Sequence, residues 1–322
     1  MPIPLFDAHC DTIDALIKNG GTLFENTCHL DLTRSAAFRP YAQVFAVWGR
    51  PRGVSTHGMG YDVPDFPESD LTAIGNNVLG LLLDEFAANS DSVKLCLCAG
   101  DARTAAEENK TAAFISIEGA ELIGCSMDSM WSAFERGVRI VNITWNYDNK
   151  LSGSAMGSGD GLSEYGEDFV HFLQAIGVAV DVSHISERAF WDICDISRRP
   201  FIASHSSSRA LFDHPRNLTD TQFCAIRDAG GAVGVNFYPK FIGGTRDIDA
   251  IVLHIEHFLS LGGKKAVCLG GDLDGIDNLP SNFRDVRDYS LIFDALLRRG
   301  YPEQLVCDIF YNNILEVLEK AL

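Results

Sequence analysis

Short apolar or β-branched runs recur along the chain, and most are separated by segments whose apolar residues fall at helical spacing. That alternation is the βα pattern of a parallel sheet covered by helices. Eight runs fit it: Ile3 to His9, Ala42 to Trp48, Ala113 to Glu118, Val138 to Trp145, Val178 to His184, Phe201 to His205, Ala232 to Tyr238 and Ala266 to Asp272. A ninth, Val93 to Cys98, is as β-like as these and is expected as an extra edge strand or an insertion. The helices have separate support. From Ile248 onward Ile251, Val252, Ile255, Phe258 and Leu259 form one stripe, which places His254 and His257 off it and predicts that both are exposed. Thr219 with Gln222 reads as a capping box, and Ser186 as the N-cap of a helix over Glu187 to Ile196. Asp70 to Ala88 predicts a long helix with Ile74, Val78, Leu82 and Phe86 on one face, after a Gly/Pro-punctuated loop from Gly53 to Phe66. No linker or solenoid-length repeat divides the chain, so a (β/α)8 barrel with a loop insertion after its second strand is the economical fold.

Composition narrows the class. With 46% hydrophobic and 22% charged residues over 322 positions, the chain is an ordinary globular one. Its 26 basic against 44 acidic residues give −18, a charge that repels phosphate backbones and anionic membrane surfaces, so neither nucleic acid nor a membrane is expected as a partner. The nine cysteines show no CxxC pair and predict reduced, mostly buried thiols. The sequence shows no basic and apolar leader, no membrane-length apolar run and no anchor tail, from which a cytoplasmic location is expected. The sequons at Asn142 and Asn217 then carry no meaning.

In a parallel barrel the chemistry sits at the carboxyl ends of the strands. There the runs offer His9 and Asp11, Glu118, Thr144-Trp145, His184, His205, Asn236 to Tyr238, and Asp272. For any one of these a structural histidine or a salt bridge is the plainer account. Three histidines and three carboxylates converging on one mouth are different, because a desolvated cluster of imidazoles and acids is costly without a cation or tight pairing. Imidazole and carboxylate are ligands for zinc and other first-row divalent ions, and a bridging carboxylate permits two ions about 3.5 to 4 Å apart. Other signals are weak. Leu151 to Leu162 is Gly/Ser-rich but lacks the end of a phosphate loop and reads as a βα loop near the mouth. Asp272-Leu-Asp274-Gly275 departs from a calcium loop, and Ser204 to Ser208 lacks a nucleophile elbow.

In order along the chain, Asp7-Ala-His9-Cys-Asp11-Thr, Ile115-Ser-Ile-Glu118-Gly, Asp181-Val-Ser-His184, Ser204-His205-Ser-Ser, Arg216-Asn-Leu-Thr-Asp220, Asn236-Phe-Tyr238 and Gly271-Asp272-Leu-Asp274-Gly275 resemble the membrane (renal-type) dipeptidases. This is peptidase family M19, of the amidohydrolase-like superfamily. The resemblance implies a metallo-dipeptidase (β/α)8 barrel over residues 1–322 with two zinc ions. His9 and Asp11 would hold one ion, His184 and His205 the other, and Glu118 would bridge them and take part in catalysis. It further implies that Arg216 binds the substrate carboxylate and that Asp272 contacts substrate and moves the proton when a zinc-activated hydroxide attacks. The expected substrates are dipeptides, L-Xaa-L/D-Xaa, with a free C-terminal carboxylate, and a homodimer is a reasonable assembly. One departure stands out: the mammalian enzymes carry Thr-His where this chain has Thr144-Trp145. An indole has one N–H and no basic nitrogen, so Trp145 is expected, with Tyr238, to contact substrate as a donor or an apolar wall. Asn146 and Asn149 are alternatives for the missing function. Two other readings remain: another amidohydrolase-barrel hydrolase such as a lactonase, deaminase or phosphotriesterase-like protein, or a catalytically weak metal- or dipeptide-binding relative. The HxD start, where those hydrolases usually carry HxH, favours the dipeptidase.

Overall fold

A computed structural model describes residues 2–49 and 71–322. The loop expected over Gly53 to Phe66, with His57, lies outside the described residues. Nine strands form one parallel sheet: β1 (Leu5–Cys10), β2 (Tyr41–Val47), β3 (Val93–Leu95), β4 (Thr111–Glu118), β5 (Val138–Asn142), β6 (Ala179–Asp181), β7 (Ile202–Ala203), β8 (Ala232–Val235) and β9 (Val267–Leu269). Neighbours run β2-β1-β9-β8-β7-β6-β5-β4, and pairing of β2 with β4, from Ala42 against Ala112 to Val47 against Ile117, closes the ring of eight. The extra strand β3 pairs with the first residues of β4, on the edge that β5 takes over from Ile115 onward. Closure removes both free sheet edges from the eight-strand ring.

Side chains alternate across each strand, so one set fills the barrel and the other meets the helices. Phe6, Ala8, Ala42, Val44, Ala112, Phe114, Ile140, Ala179, Ile202, Ala232 and Cys268 make one buried cluster with Tyr311, Ile314 and Leu318 of the C-terminal segment, which plugs the lower end. Phe6 stacks on Phe114 there, ring centres 5.5 Å apart. Leu5, Phe45, Ile115 and Ile117 belong to the larger outer core. On β4 the inward parity of Ala112 and Phe114 continues through Ser116 to Glu118 and delivers that carboxylate into the mouth. On β1 the parity of Phe6 and Ala8 would turn His9 outward, but the register shifts between Asp7 and Cys10. Such an irregularity re-aims the side chains beyond it, here His9 and Asp11, toward the axis.

The expected caps are present: Ser186 accepts from Ala189 N at 3.0 Å, and Thr219 and Gln222 close a capping box. The long helix is seen over Leu71–Ala88, with Val78, Leu82 and Phe86 buried. Two readings are corrected. His254 is fully buried rather than exposed, because its ring bridges a loop and the end of the short helix Pro239–Ile242: Nδ1 accepts from Ser208 N at 2.9 Å and Nε2 faces Ile242 O at 3.0 Å. Several strands stop short of their apolar runs, so Trp145, His184, His205, Tyr238 and Asp272 lie just beyond the ladders of β5, β6, β7, β8 and β9. His184 (φ 74°) and Asp272 (φ 58°) adopt left-handed backbone, which cannot continue a strand. All nine cysteines are free and five are buried. The sequon residues Asn142 and Asn217 are buried, out of reach of glycosylation in the folded chain. Among the described residues no helix is long and apolar enough to cross a membrane.

Candidate metal centre

At the carboxyl end of the barrel, Glu118 is the meeting point. Its Oε1 lies 2.9 Å from His184 Nε2 and 3.5 Å from His205 Nε2, and those two nitrogens are 2.8 Å apart. Its Oε2 lies 3.5 Å from His9 Nε2, which is itself 3.4 Å from Asp11 Oδ2. Asp272 completes a second group with His9 and Asp11, ligand atoms within 4.8 Å of one another. Donors held about 2.0 to 2.1 Å from a tetrahedral zinc stand roughly 3.3 Å apart, a span that the Glu118, His184 and His205 triangle matches.

The second partners of the rings decide what those nitrogens carry. His184 Nδ1 is 2.8 Å from Asn146 Oδ1, an acceptor, so the proton sits on Nδ1 and Nε2 presents a lone pair. His205 Nδ1 meets Ser204 Oγ at 2.7 Å. The His184 lone pair, His205 Nε2 and a carboxylate oxygen thus converge with nothing positive between them, an arrangement that a divalent cation satisfies. Protonation is a poor substitute, since burial and the nearby charges of Arg216 and His9 push both His184 and His205 well below the ordinary imidazole value. Burial also opposes charge on His9, yet Glu118 and Asp11 outweigh it and hold its pKa high. Burial, with the repulsion of Glu118, lifts Asp11 to about 6, and burial holds Asp272 well above the carboxylate range. Asp272 Oδ2 accepts from Asn236 Nδ2 at 2.9 Å, which fixes the carboxyl plane. Gly275 makes room for both acids: a Cβ there would lie 2.0 Å from Asp11 Oδ2 and 2.3 Å from Asp272 Oδ1.

Arg216 lies beside this cluster, 4% exposed, with Nε and Nη2 lacking a hydrogen-bond partner among the described residues and the guanidinium 5.6 Å above the Phe241 ring. Burial draws its pKa down to about 10. A cavity lined by His184, Arg209, Arg216 and Ala155 adjoins it. Trp145 is buried against Trp48 and Tyr147, with its ring 6.1 Å from His184, and one apolar cluster joins Trp48 and Trp145 to Tyr238, Phe241 and Ile276. Of the alternatives to the missing histidine, Asn146 is engaged by His184, and Asn149 is spent on Glu121 Oε2 and Ile143 O. Sequence reasoning assigned no role to Asp181, whose Oδ1 accepts from Ser183 N and Ser204 N, or to Asp7, whose Oδ1 accepts from Gly271 N. Both stand inside motifs that were noted for their histidines and acids.

With these groups in one mouth, comparison with known proteins is informative. The family model of membrane dipeptidase, peptidase family M19, matches residues 1–322. The chain belongs to that family. An uncharacterized protein from the pqqA 5′ region of Klebsiella pneumoniae is 35% identical over 256 residues, 76% of this chain and 94% of its own. An uncharacterized dipeptidase of Schizosaccharomyces pombe is 32% identical over 311 residues, covering 92% of this chain and 74% of that protein. Among solved structures, a metallo peptidase of Rhodobacter sphaeroides, liganded with a phosphinate mimic of the dipeptide L-Ala-D-Ala, superposes with TM-score 0.89 at 27% identity over the full length of both chains. The M19 protein described here is a metal-dependent dipeptidase, and its barrel is the (β/α)8 fold of that family.

Proposed function

We propose that this M19 enzyme hydrolyses dipeptides with a free C-terminal carboxylate, using two zinc ions held by His9 and Asp11 on one side, His184 and His205 on the other, and Glu118 between them. The observation that carries the reading is the split of Glu118, Oε1 toward His184 and His205 and Oε2 toward His9. When bound, such ions act as Lewis acids that polarise the peptide carbonyl and lower the pKa of water. The chain's own residues do the rest. Arg216, buried and with open donors, receives the substrate carboxylate in its planar fork and selects short peptides with a free terminus. Asp272, whose carboxyl is held by Asn236 and lies among the centre's acids, takes the proton from the attacking water and returns it to the leaving amine. Trp145 and Tyr238 form an apolar wall beside the scissile bond, which excludes water and shapes the side-chain preference. The phosphinate mimic in the Rhodobacter sphaeroides structure, an L-Ala-D-Ala analogue, supports acceptance of a D-residue at the C-terminal position. Residues 1–322 act in this reading as one barrel domain, working in the cytoplasm as a homodimer.

The test is a dipeptide library with L- and D-residues at each position, hydrolysed by enzyme of defined metal content. Two equivalents of zinc with cleavage of free-carboxylate dipeptides are expected. Protein that purifies without a divalent metal and keeps its activity in chelator overturns the metal assignment, and equal rates on C-terminally amidated dipeptides overturn the clamp.

A further inference from the structure

The two halves of the centre, His184 with His205 and His9 with Asp11, are supported differently. His184 and His205 each have a polar partner on the ring nitrogen that faces away from Glu118: Asn146 Oδ1 at 2.8 Å and Ser204 Oγ at 2.7 Å. His9 is fully buried, and its Nδ1 has no hydrogen-bond partner among the described residues. Behind Ser204 stands Asp181, also fully buried, whose Oδ1 accepts the backbone N–H of Ser183 at 2.9 Å and of Ser204 at 3.0 Å. Ser183 Oγ in turn accepts from His205 N at 3.1 Å. One carboxylate therefore ties the end of β6 to the end of β7 and fixes the backbone from which Ser204 Oγ reaches His205 Nδ1. That contact holds the His205 ring with Nε2 toward Glu118, and Asn146, an acceptor on Nδ1, fixes both ring and tautomer for His184.

Resting on the two-cation reading above, we infer that Asn146 and Ser204, with Asp181 behind Ser204, are positioning residues that serve the His184–His205 half of the centre alone. Outer partners of this kind change metal affinity about 10- to 100-fold when removed. The His9–Asp11 half has no equivalent support and draws its attraction for a cation from carboxylate charge. Loss of the Ser204 hydroxyl or the Asn146 amide therefore weakens one equivalent of metal and leaves the other in place.

The experiment is zinc competition with a chromophoric chelator on the full chain, comparing wild type, Ser204→Ala and Asn146→Ala, each also in His9→Ala and His184→Ala backgrounds. The expected result is that one of two release steps shifts about 10- to 100-fold. With His9→Ala, the remaining ion is weakened by either substitution; with His184→Ala, it is indifferent to Ser204→Ala. Equal shifts of both steps, or none, overturn the assignment. A wild type that releases a single equivalent defeats the two-cation reading, while a shift of that one step by Ser204→Ala still upholds the positioning role. Thermal unfolding of the metal-free variants separates the outcomes from misfolding. Should Ser204→Ala fail to fold, Asn146→Ala, in a loop outside the strands, decides the question by itself.

Discussion

The two ends of the barrel are built from the same strands by opposite physics. At the lower end, inward positions carry Phe6, Phe114, Ala42 and Ile140, closed by Tyr311 and Leu318 in one apolar cluster. At the upper end, a few residues further along the same strands, the inward positions carry His9, Glu118, His205 and Asp272, and Arg216 is buried among them with open donors. The lower end gains stability from what it buries. The upper end loses stability, because unpaired charges and facing lone pairs are held out of water until a cation and a substrate complete them. Substitutions should therefore separate the ends: changes above should damage activity while sparing or helping the metal-free fold, and changes below should do the reverse.

Glu118→Gln carries the largest expected effect. An amide presents one oxygen where the centre uses two, so kcat/KM on a dipeptide should fall at least about 10⁴-fold, or ~5 kcal/mol of transition-state stabilisation, with metal content reduced. Metal-free unfolding should be no less stable than wild type; a large loss there would mean that the acid is structural. Phe114→Ala should reverse the pattern. Removing a fully buried ring from the plug should cost about 3–5 kcal/mol in urea unfolding, while kcat/KM of the folded fraction stays within about threefold. A comparable loss of turnover without loss of stability would break the division between the ends.

How far this contrast was legible from sequence differs by residue. Glu118 was readable because β4 is a long unbroken strand whose alternation runs straight to it. His9 and Asp11 were found by motif; simple alternation from Phe6 turns His9 the wrong way, and the register shift that corrects it is a three-dimensional event. His184 and Asp272 were assigned to strands because their apolar runs continue, yet both adopt left-handed backbone, which Asp and His tolerate better than most residues but which a continuing apolar run does not signal. His254 was misread for a related reason: off-stripe on its own helix, it is buried by a loop and a short helix that helical periodicity cannot see. The supporting residues Asp181, Ser204, Asn146 and Asn236 act through contacts between sequence-distant loops, so their roles became visible only once the strand ends were assembled.

Arg216→Ala tests the upper end more finely. Without the guanidinium, kcat/KM on free-carboxylate dipeptides should fall about 10²-fold, close to 3 kcal/mol, with little change on amidated analogues. The metal-free fold should be as stable or more so, since a buried cation with two unpaired donor atoms disappears. A stability loss matching the activity loss would mean that Arg216 belongs to the scaffold.

The smallest effect concerns Glu121, just past β4, whose Oε2 accepts from Asn149 Nδ2 at 2.9 Å, on the loop that follows Trp145. Burial pushes its pKa from 4.5 up to about 7. Because the folded state keeps this proton more tightly than the unfolded chain, the group's contribution to stability is full below pH 4.5 and is lost as the pH rises through about 7. Glu121→Gln keeps an oxygen for Asn149 and removes the titration. In metal-free urea unfolding the difference between variant and wild type should therefore move in favour of the variant by on the order of 2 kcal/mol between pH 5 and pH 8. A constant difference across that range would show that Glu121 is already ionised in the fold. The upper end would then tolerate more buried charge than its hydrogen bonds account for, and the contrast with the apolar end would rest on the metal ligands and Arg216 alone.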